Sequence, residues 1–221
     1  MGNTLTIFDL DNTLIQGDSS TVWSQFMVRE GLAMQKGYLA REARLMADYD
    51  RGEMNIADYV ALIQAPLAGI PKSDVDALVA RCVREAILPR VYPQAWELIR
   101  RLRAEGEQML IISASVSLLV QAVAAALEID QALGIDVEMV DGGYSGVIAG
   151  IPSYQQGKVA RLAQWREAHP QYDGEVTFYT DSINDLPLCL HADRVRLVNP
   201  CPQLQAAGAG YGWPVLSWRL E

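Results

Sequence analysis

The stretch Leu5-Thr6-Ile7-Phe8-Asp9-Leu10-Asp11-Asn12-Thr13-Leu14 decides how the rest of the chain is read. An apolar run from Leu5 to Phe8 ends in two aspartates separated by a single residue. Thr13 follows, then a polar loop through Gln16, Gly17 and Asp18. Read as a buried parallel strand, the run delivers both carboxylates to its carboxyl end, where open α/β sheets build their ligand sites. Two acids crowded there repel each other and are costly to ionise without a cation. The pair therefore predicts Mg2+-dependent chemistry in which one carboxylate acts as a nucleophile.

Outward from that stretch, strand-like runs recur at Met109–Ser113, Val176–Thr180 and Val195–Val198, with helical patterns at Pro93–Ala104, Val116–Leu127 and Gly157–Ala168. This alternation predicts an α/β fold, a Rossmann-like parallel sheet with helices on both faces. Val137–Val140 and Gly146–Ala149 flank Asp141-Gly142-Gly143-Tyr144-Ser145 and predict a β-hairpin. Between the first strand and Pro89 the character changes: helical patterns recur near 20–30, 39–51, 56–65 and 73–86, and no strand is evident. A βα connection normally takes a few residues, so about seventy here predict a separate helical module. The expected division is a core of residues 1–15 and 89–221 and a helical cap of residues 16–88, seated over the two aspartates.

Half of the 221 residues are hydrophobic, enough to fill a core, and the formal charge of −9 argues against nucleic acid or an anionic membrane as the main partner. A small phosphorylated substrate remains compatible, because a metal and one lysine can invert the field of a single pocket. Cys82, Cys189 and Cys201 are odd in number without CxxC spacing, which predicts buried structural thiols in a reducing compartment. No signal-like leader or membrane-length apolar stretch is evident, so a cytoplasmic protein is expected.

A second acidic constellation follows another apolar strand, Val176-Thr177-Phe178-Tyr179-Thr180-Asp181-Ser182-Ile183-Asn184-Asp185. Asp181 falls at that strand's end, and Asp185 follows a helical turn later. Ile111-Ile112-Ser113-Ala114-Ser115 ends the second core strand with hydroxyls, and helix-start amides follow that can bind anionic oxygens. Lys158, after Gln155-Gln156-Gly157, opens a helix and can supply the cation that phosphoryl transfer from an acidic pocket needs besides a metal.

These four pieces, in this order, resemble the haloacid dehalogenase superfamily of phosphohydrolases, and the helical insertion resembles its type 1 cap. Asp141-Gly142-Gly143-Tyr144-Ser145-Gly146 and Thr180-Asp181-Ser182-Ile183-Asn184-Asp185-Leu186-Pro187 are similar to the phosphoserine phosphatase-like subgroup, which also holds histidinol-phosphate phosphatases. The resemblance implies that Asp9 is the nucleophile and Asp11 the general acid/base. Ser113, with an amide of Ala114 or Ser115, would hold phosphoryl oxygens, and Lys158 would neutralise them and steady Asp9. Mg2+ would be bound by Asp9, Asp181 and the backbone carbonyl of Asp11, with Asp185 on its water shell. Asn184 would touch the phosphoryl group, and Asp18 stands where phosphoserine phosphatases meet the substrate amine. The paired glycines that those enzymes show after the motif serine are Ala114-Ser115 here, so the resemblance implies a small phosphate monoester without fixing which one. Two other outcomes compete with hydrolysis: phosphotransfer to an alcohol acceptor, and non-catalytic binding of a phosphometabolite. Arg29, Arg41, Arg44 and Arg51 are candidates for a carboxylate clamp but read mainly as a solvated helix face.

Overall fold

The computed structural model describes residues 3–220. In chain order the strands are β1 (Leu5–Phe8), β2 (Gln108–Val116), β3 (Gln131–Ile135), β4 (Val137–Val140), β5 (Gly143–Ile148), β6 (Val176–Thr180), β7 (Arg194–Val198) and β8 (Val215–Leu216). The α-helices are α1 (Ser19–Arg29), α2 (Tyr38–Asp50), α3 (Ile56–Gln64), α4 (Lys72–Cys82), α5 (Pro93–Ala104), α6 (Ser117–Ala126), α7 (Gln156–Ala168), α8 (Leu186–His191) and α9 (Pro202–Ala209).

Six strands form one sheet in the order β3-β2-β1-β6-β7-β8, and every pairing in it is parallel. β1 is central, and all four of its residues are buried, as a strand covered on both faces must be. Strand alternation sends Leu5, Ile7, Leu110, Ile112, Val176 and Phe178 to one face, where they meet Leu162 and Trp165 of α7, Leu188 of α8 and Leu204 of α9. Phe8, Met109, Ile111 and Tyr179 point to the other face, into a core shared with α5 and α6. Each such fully buried side chain contributes about 1.5–3 kcal/mol.

The four helices α1–α4 form the insertion. Their buried residues, among them Trp23, Phe26, Ile63 and Val79, join Leu119 and Val123 of α6 in the same continuous core as that second face. The hairpin of β4 and β5 leans on the insertion: a Cβ at Gly146 would lie 3.4 Å from Ala61 Cα, and Tyr144 donates to Asp76 at 3.0 Å. Its turn is tighter than expected. Asp141 and Gly142 alone make it, at φ +50° and +77°, so β5 begins at Gly143 instead of Gly146. Asp-Gly satisfies the two positive φ angles of such a turn without further residues.

β2 also departs from expectation. It runs on past Ser113 to Val116, and α6 starts only at Ser117. Ser113, Ala114 and Ser115 therefore lie on extended backbone and not at a helix start. The neighbouring strand accommodates this through Gly134, where a Cβ would approach Ser117 Cα to 2.7 Å. Among the described residues, no helix is long and apolar enough to cross a membrane.

Candidate active site

β1 and β6 end side by side, with Phe8 level with Tyr179, so the residues that follow, Asp9 and Asp181, emerge at the same sheet edge. Thr13 spans them: its hydroxyl lies 3.4 Å from Asp9 Oδ2 and 3.2 Å from Asp181 Oδ1. Asp9 Oδ1 accepts from Lys158 Nζ at 2.8 Å, and the same ammonium lies 2.6 Å from Asp185 Oδ1. Asp185 Oδ2 accepts from Thr180 Oγ1 at 2.7 Å. Lys158, Asp9 and Asp185 are all buried, so this is an ion-paired triad removed from water.

The local backbone explains why Lys158 arrives there. Tyr154 and Gln155 turn sharply ahead of α7, and a Cβ on Gly157 would collide with the carbonyl of Pro152. Gln155 sits at φ +49°, ψ −123°, a conformation costly for any residue but glycine. Its side-chain nitrogen is fully used: Nε2 lies 3.1 Å from each of Gly52 O, Tyr154 Oη and Asn184 Oδ1. Asn184 Nδ2 in turn donates to Tyr49 O at 2.7 Å. Asn184, expected on the phosphoryl group, is thus engaged in fastening the end of α2 over the sheet edge.

Asp11 has no such ion pair. Its Oδ1 accepts the Ser19 amide at 2.6 Å, at the N-terminus of α1, and its Oδ2 accepts Ser115 Oγ at 2.9 Å and Ser113 Oγ at 3.3 Å. Ser113 Oγ also accepts the amide of Ser115 at 3.1 Å. Hydroxyls two residues apart on an extended strand share one face, which is why both serines reach one carboxylate.

The electrostatics follow from burial. Loss of water pushes the Asp9 carboxyl up to about 7, with Asp185 and Asp11 adding to the rise and Lys158 opposing it. Burial likewise raises Asp11, against the Ser19 and Ser115 hydrogen bonds, and raises Asp181 well above the usual carboxylate range, helped by Asp9 and Asp185. Burial alone would lower the Lys158 ammonium, but Asp185 and Asp9 more than offset it and hold it above its ordinary value.

A cavity of about 620 Å³ opens onto this edge between the sheet and α2, lined by Asp11, Asp18, Tyr49, Asp50, Tyr92 and Asp181 among others. A small inner pocket, including Asp18, Met46, Tyr59 and Ala114, continues beneath the insertion. Among the described residues, neither is lined by an arginine, lysine or histidine. Asp18 caps α1 through the Thr21 amide at 2.7 Å, and burial raises it well above the usual range, with Asp11 and Glu42 adding to the rise. Arg29, Arg41, Arg44 and Arg51 all lie exposed outside the cavity; Arg29 and Arg51 pair with neighbouring acids and Arg41 bonds Gln35. Cys82 and Cys189 are buried as expected, whereas Cys201 is half-buried and sits on the cavity wall, because its amide is tied to Asp181 O at 2.8 Å.

Residues 6–189 match the haloacid dehalogenase-like hydrolases. The chain belongs to that family. It is 33% identical, over 97% of its length and 99% of the relative's, to a histidinol-phosphatase of Neisseria meningitidis. Its fold superposes with a TM-score of 0.88 on a protein of unknown function from Bordetella pertussis, 31% identical and covering 98% of this chain and 99% of that one. It superposes at 0.68 on a phosphoserine phosphatase trapped as a phospho-aspartyl intermediate analogue, 17% identical, covering 93% and 91%, a likeness of fold.

The structure brings Asp9, Asp11, Asp18, Ser113, Lys158, Asp181 and Asn184 into one neighbourhood at the sheet edge. The sequence alone assigns no task to Thr13, Thr180, Gln155 or Tyr59. Asp185 lies at Lys158, with Oδ1 ion-paired to the ammonium and Oδ2 accepting from Thr180, and does not line the cavity. Among the described residues no three His, Cys, Asp or Glu side chains form a ready metal cage. The donor set still suits a hard cation: the expected ligands are two carboxylates and one backbone carbonyl, and Thr13 already draws those two carboxylates together.

Proposed function

We propose that this hydrolase is a Mg2+-dependent phosphomonoesterase acting on a small amino-alcohol phosphate through an aspartyl-phosphate on Asp9. The observation that carries this reading is the buried pair Asp9 and Asp185 on one ammonium, Lys158, with Asp181 joined to Asp9 through the Thr13 hydroxyl. Burial, with mutual repulsion adding to it, raises both Asp9 and Asp181, as expected for carboxylates at a functional site that a cation would complete. Asp9, Asp181 and the carbonyl of Asp11 would hold Mg2+, which supplies charge neutralisation for the incoming phosphate.

Asp9 attacks phosphorus in line, the bond from phosphorus to the substrate oxygen breaks, and Asp11 delivers its proton to that oxygen. Asp11 then takes a proton from water as the water attacks phosphorus, which frees inorganic phosphate and returns the Asp9 carboxylate. Lys158 balances the charge on Asp9 and the phosphoryl oxygens throughout. Residues 16–88 act as a cap that excludes bulk water, fastened by the contacts of Gln155 and Asn184 to the end of α2.

The walls of the cavity point to the substrate. They carry acids, including Asp18, and no basic side chain, so they suit an amine and offer nothing to pair with a carboxylate. Histidinol phosphate has an amine and lacks the carboxylate of phosphoserine, and the relative from Neisseria meningitidis is a histidinol-phosphatase. The three unpaired cysteines support a cytoplasmic setting. Phosphate release with Mg2+ from histidinol phosphate and from phosphoserine tests the assignment. Histidinol phosphate should be the better substrate; a preference for phosphoserine overturns the substrate class, and phosphate release from neither overturns the phosphatase reading.

A further inference from the structure

A chain of buried hydroxyls leads away from Asp11 into the insertion. Ser115 Oγ, on Asp11 Oδ2 at 2.9 Å, lies 3.0 Å from Ser20 Oγ and 3.1 Å from Ser19 Oγ. Ser20 Oγ in turn meets the hydroxyl of Tyr59, on α3. Ser19, Ser20, Tyr59, Ser113 and Ser115 are all buried. When Asp11 is ionised it can only accept, so each hydroxyl in line must donate toward it: Tyr59 to Ser20, Ser20 to Ser115, Ser115 to Asp11. Hydrogen bonds aligned in this way polarise one another, and the string is anchored at its far end by a residue of the insertion.

We infer that Ser115 is the positioning residue for the acid/base carboxylate, and that Tyr59 extends this control to the insertion, so that Asp11 is aimed only when α3 is seated. The inference rests on the phosphatase reading above. Three observations carry it. The carboxylate of Asp11 has no cation, so its orientation depends on neutral donors. Ser115 makes the shorter of its two hydroxyl contacts, and Ser113, the residue expected to serve the phosphoryl group, makes the longer. Ser115 Oγ is also buried and held from behind by the hydroxyls of Ser19 and Ser20, so its direction is fixed by residues that lead into the insertion.

A carboxyl that donates a proton to a leaving oxygen matters in proportion to how badly that oxygen needs it. An alkoxide leaves with difficulty unprotonated, whereas 4-nitrophenolate leaves readily without a proton. Comparing kcat/KM for an alkyl phosphate, histidinol phosphate, with that for 4-nitrophenyl phosphate isolates the step in which the Asp9 phosphoester forms. Ser115→Ala should lower kcat/KM on the alkyl phosphate at least about tenfold while the aryl phosphate changes by less than about threefold, since general acid catalysis is worth about 10²–10⁴. Tyr59→Phe, which keeps the ring and removes only the far donor, should show the same asymmetry in weaker form. Ser113→Ala should lower both substrates alike if its task is to hold the phosphoryl group. Equal losses on the two substrates in Ser115→Ala, or a loss on neither, overturn the inference. A wild-type enzyme that releases phosphate from neither substrate overturns the phosphatase reading and this inference with it.

Discussion

Asp9 and Asp11 leave the same strand end with one residue between them and enter opposite surroundings. Asp9 faces Lys158 inside an ion-paired triad with Asp185, which in turn accepts from Thr180. Asp11 faces an amide and two serine hydroxyls, with no charge of opposite sign bonded to it. A nucleophile that must carry negative charge toward phosphate benefits from a fixed cation. An acid/base that must gain and lose a proton in each cycle is better served by neutral donors, which favour neither state as strongly as an ammonium would. Under the proposed mechanism, the difference between the two surroundings matches a division of labour between the two carboxylates.

That comparison can be broken from the lysine side. Lys158→Ala should lower kcat by about 10²–10³-fold, because it removes the cation that stabilises charge at the reacting centre. The folded protein should also lose about 3–5 kcal/mol at neutral pH, since Asp9 and Asp185 are left buried without their partner. Steady-state kinetics with a denaturant titration reads both, and unchanged values in each would remove the ammonium from the triad's function.

The smaller effect is one of pH and metal. Asp9 is raised from 3.8 to about 7, so the folded state keeps its proton over a range where the unfolded chain has released it. Stability of the metal-free protein should therefore fall as pH rises from about 4 to about 7 and level off above that. Mg2+ binds the ionised carboxylates, so it should raise Tm more at about pH 8 than at about pH 5.5. A shift in Tm that is equal at both pH values, or absent, would contradict the cation site drawn at Asp9 and Asp181.

The two surroundings were not equally legible in the sequence. Asp9, Asp181 and Lys158 follow runs whose reading is direct: Leu5–Phe8 and Val176–Thr180 are apolar strands buried on both faces, and Lys158 opens a helix. The cradle of Asp11 was less so. It depends on β2 continuing past Ser113 through Ala114-Ser115 to Val116, where the helical pattern begins, and that continuation depends on Gly134 in β3. β3 itself, Gln131-Ala132-Leu133-Gly134-Ile135, is mixed in polarity and only half-buried at its first three residues, so it lacks the apolar run that marks the other strands. β8 is two residues long, too short for any periodicity. Thr13 and Gln155 gained their tasks only from partners far along the chain, such as Asp181 and Gly52, which no local pattern can announce. The hairpin turn is a milder case: Asp141-Gly142 reads as part of a longer loop because Gly143 to Ser145 are also turn-compatible residues.

The central claim is that Asp9 attacks and Asp11 does not. Acid-quenching the enzyme during turnover of histidinol phosphate with Mg2+, followed by peptide mass mapping, tests it directly. The account predicts a phosphoryl group on Asp9, absent when Asp9→Asn protein is treated in the same way. A phosphoryl group found on Asp11, or Mg2+-dependent turnover that persists in Asp9→Asn, would contradict it.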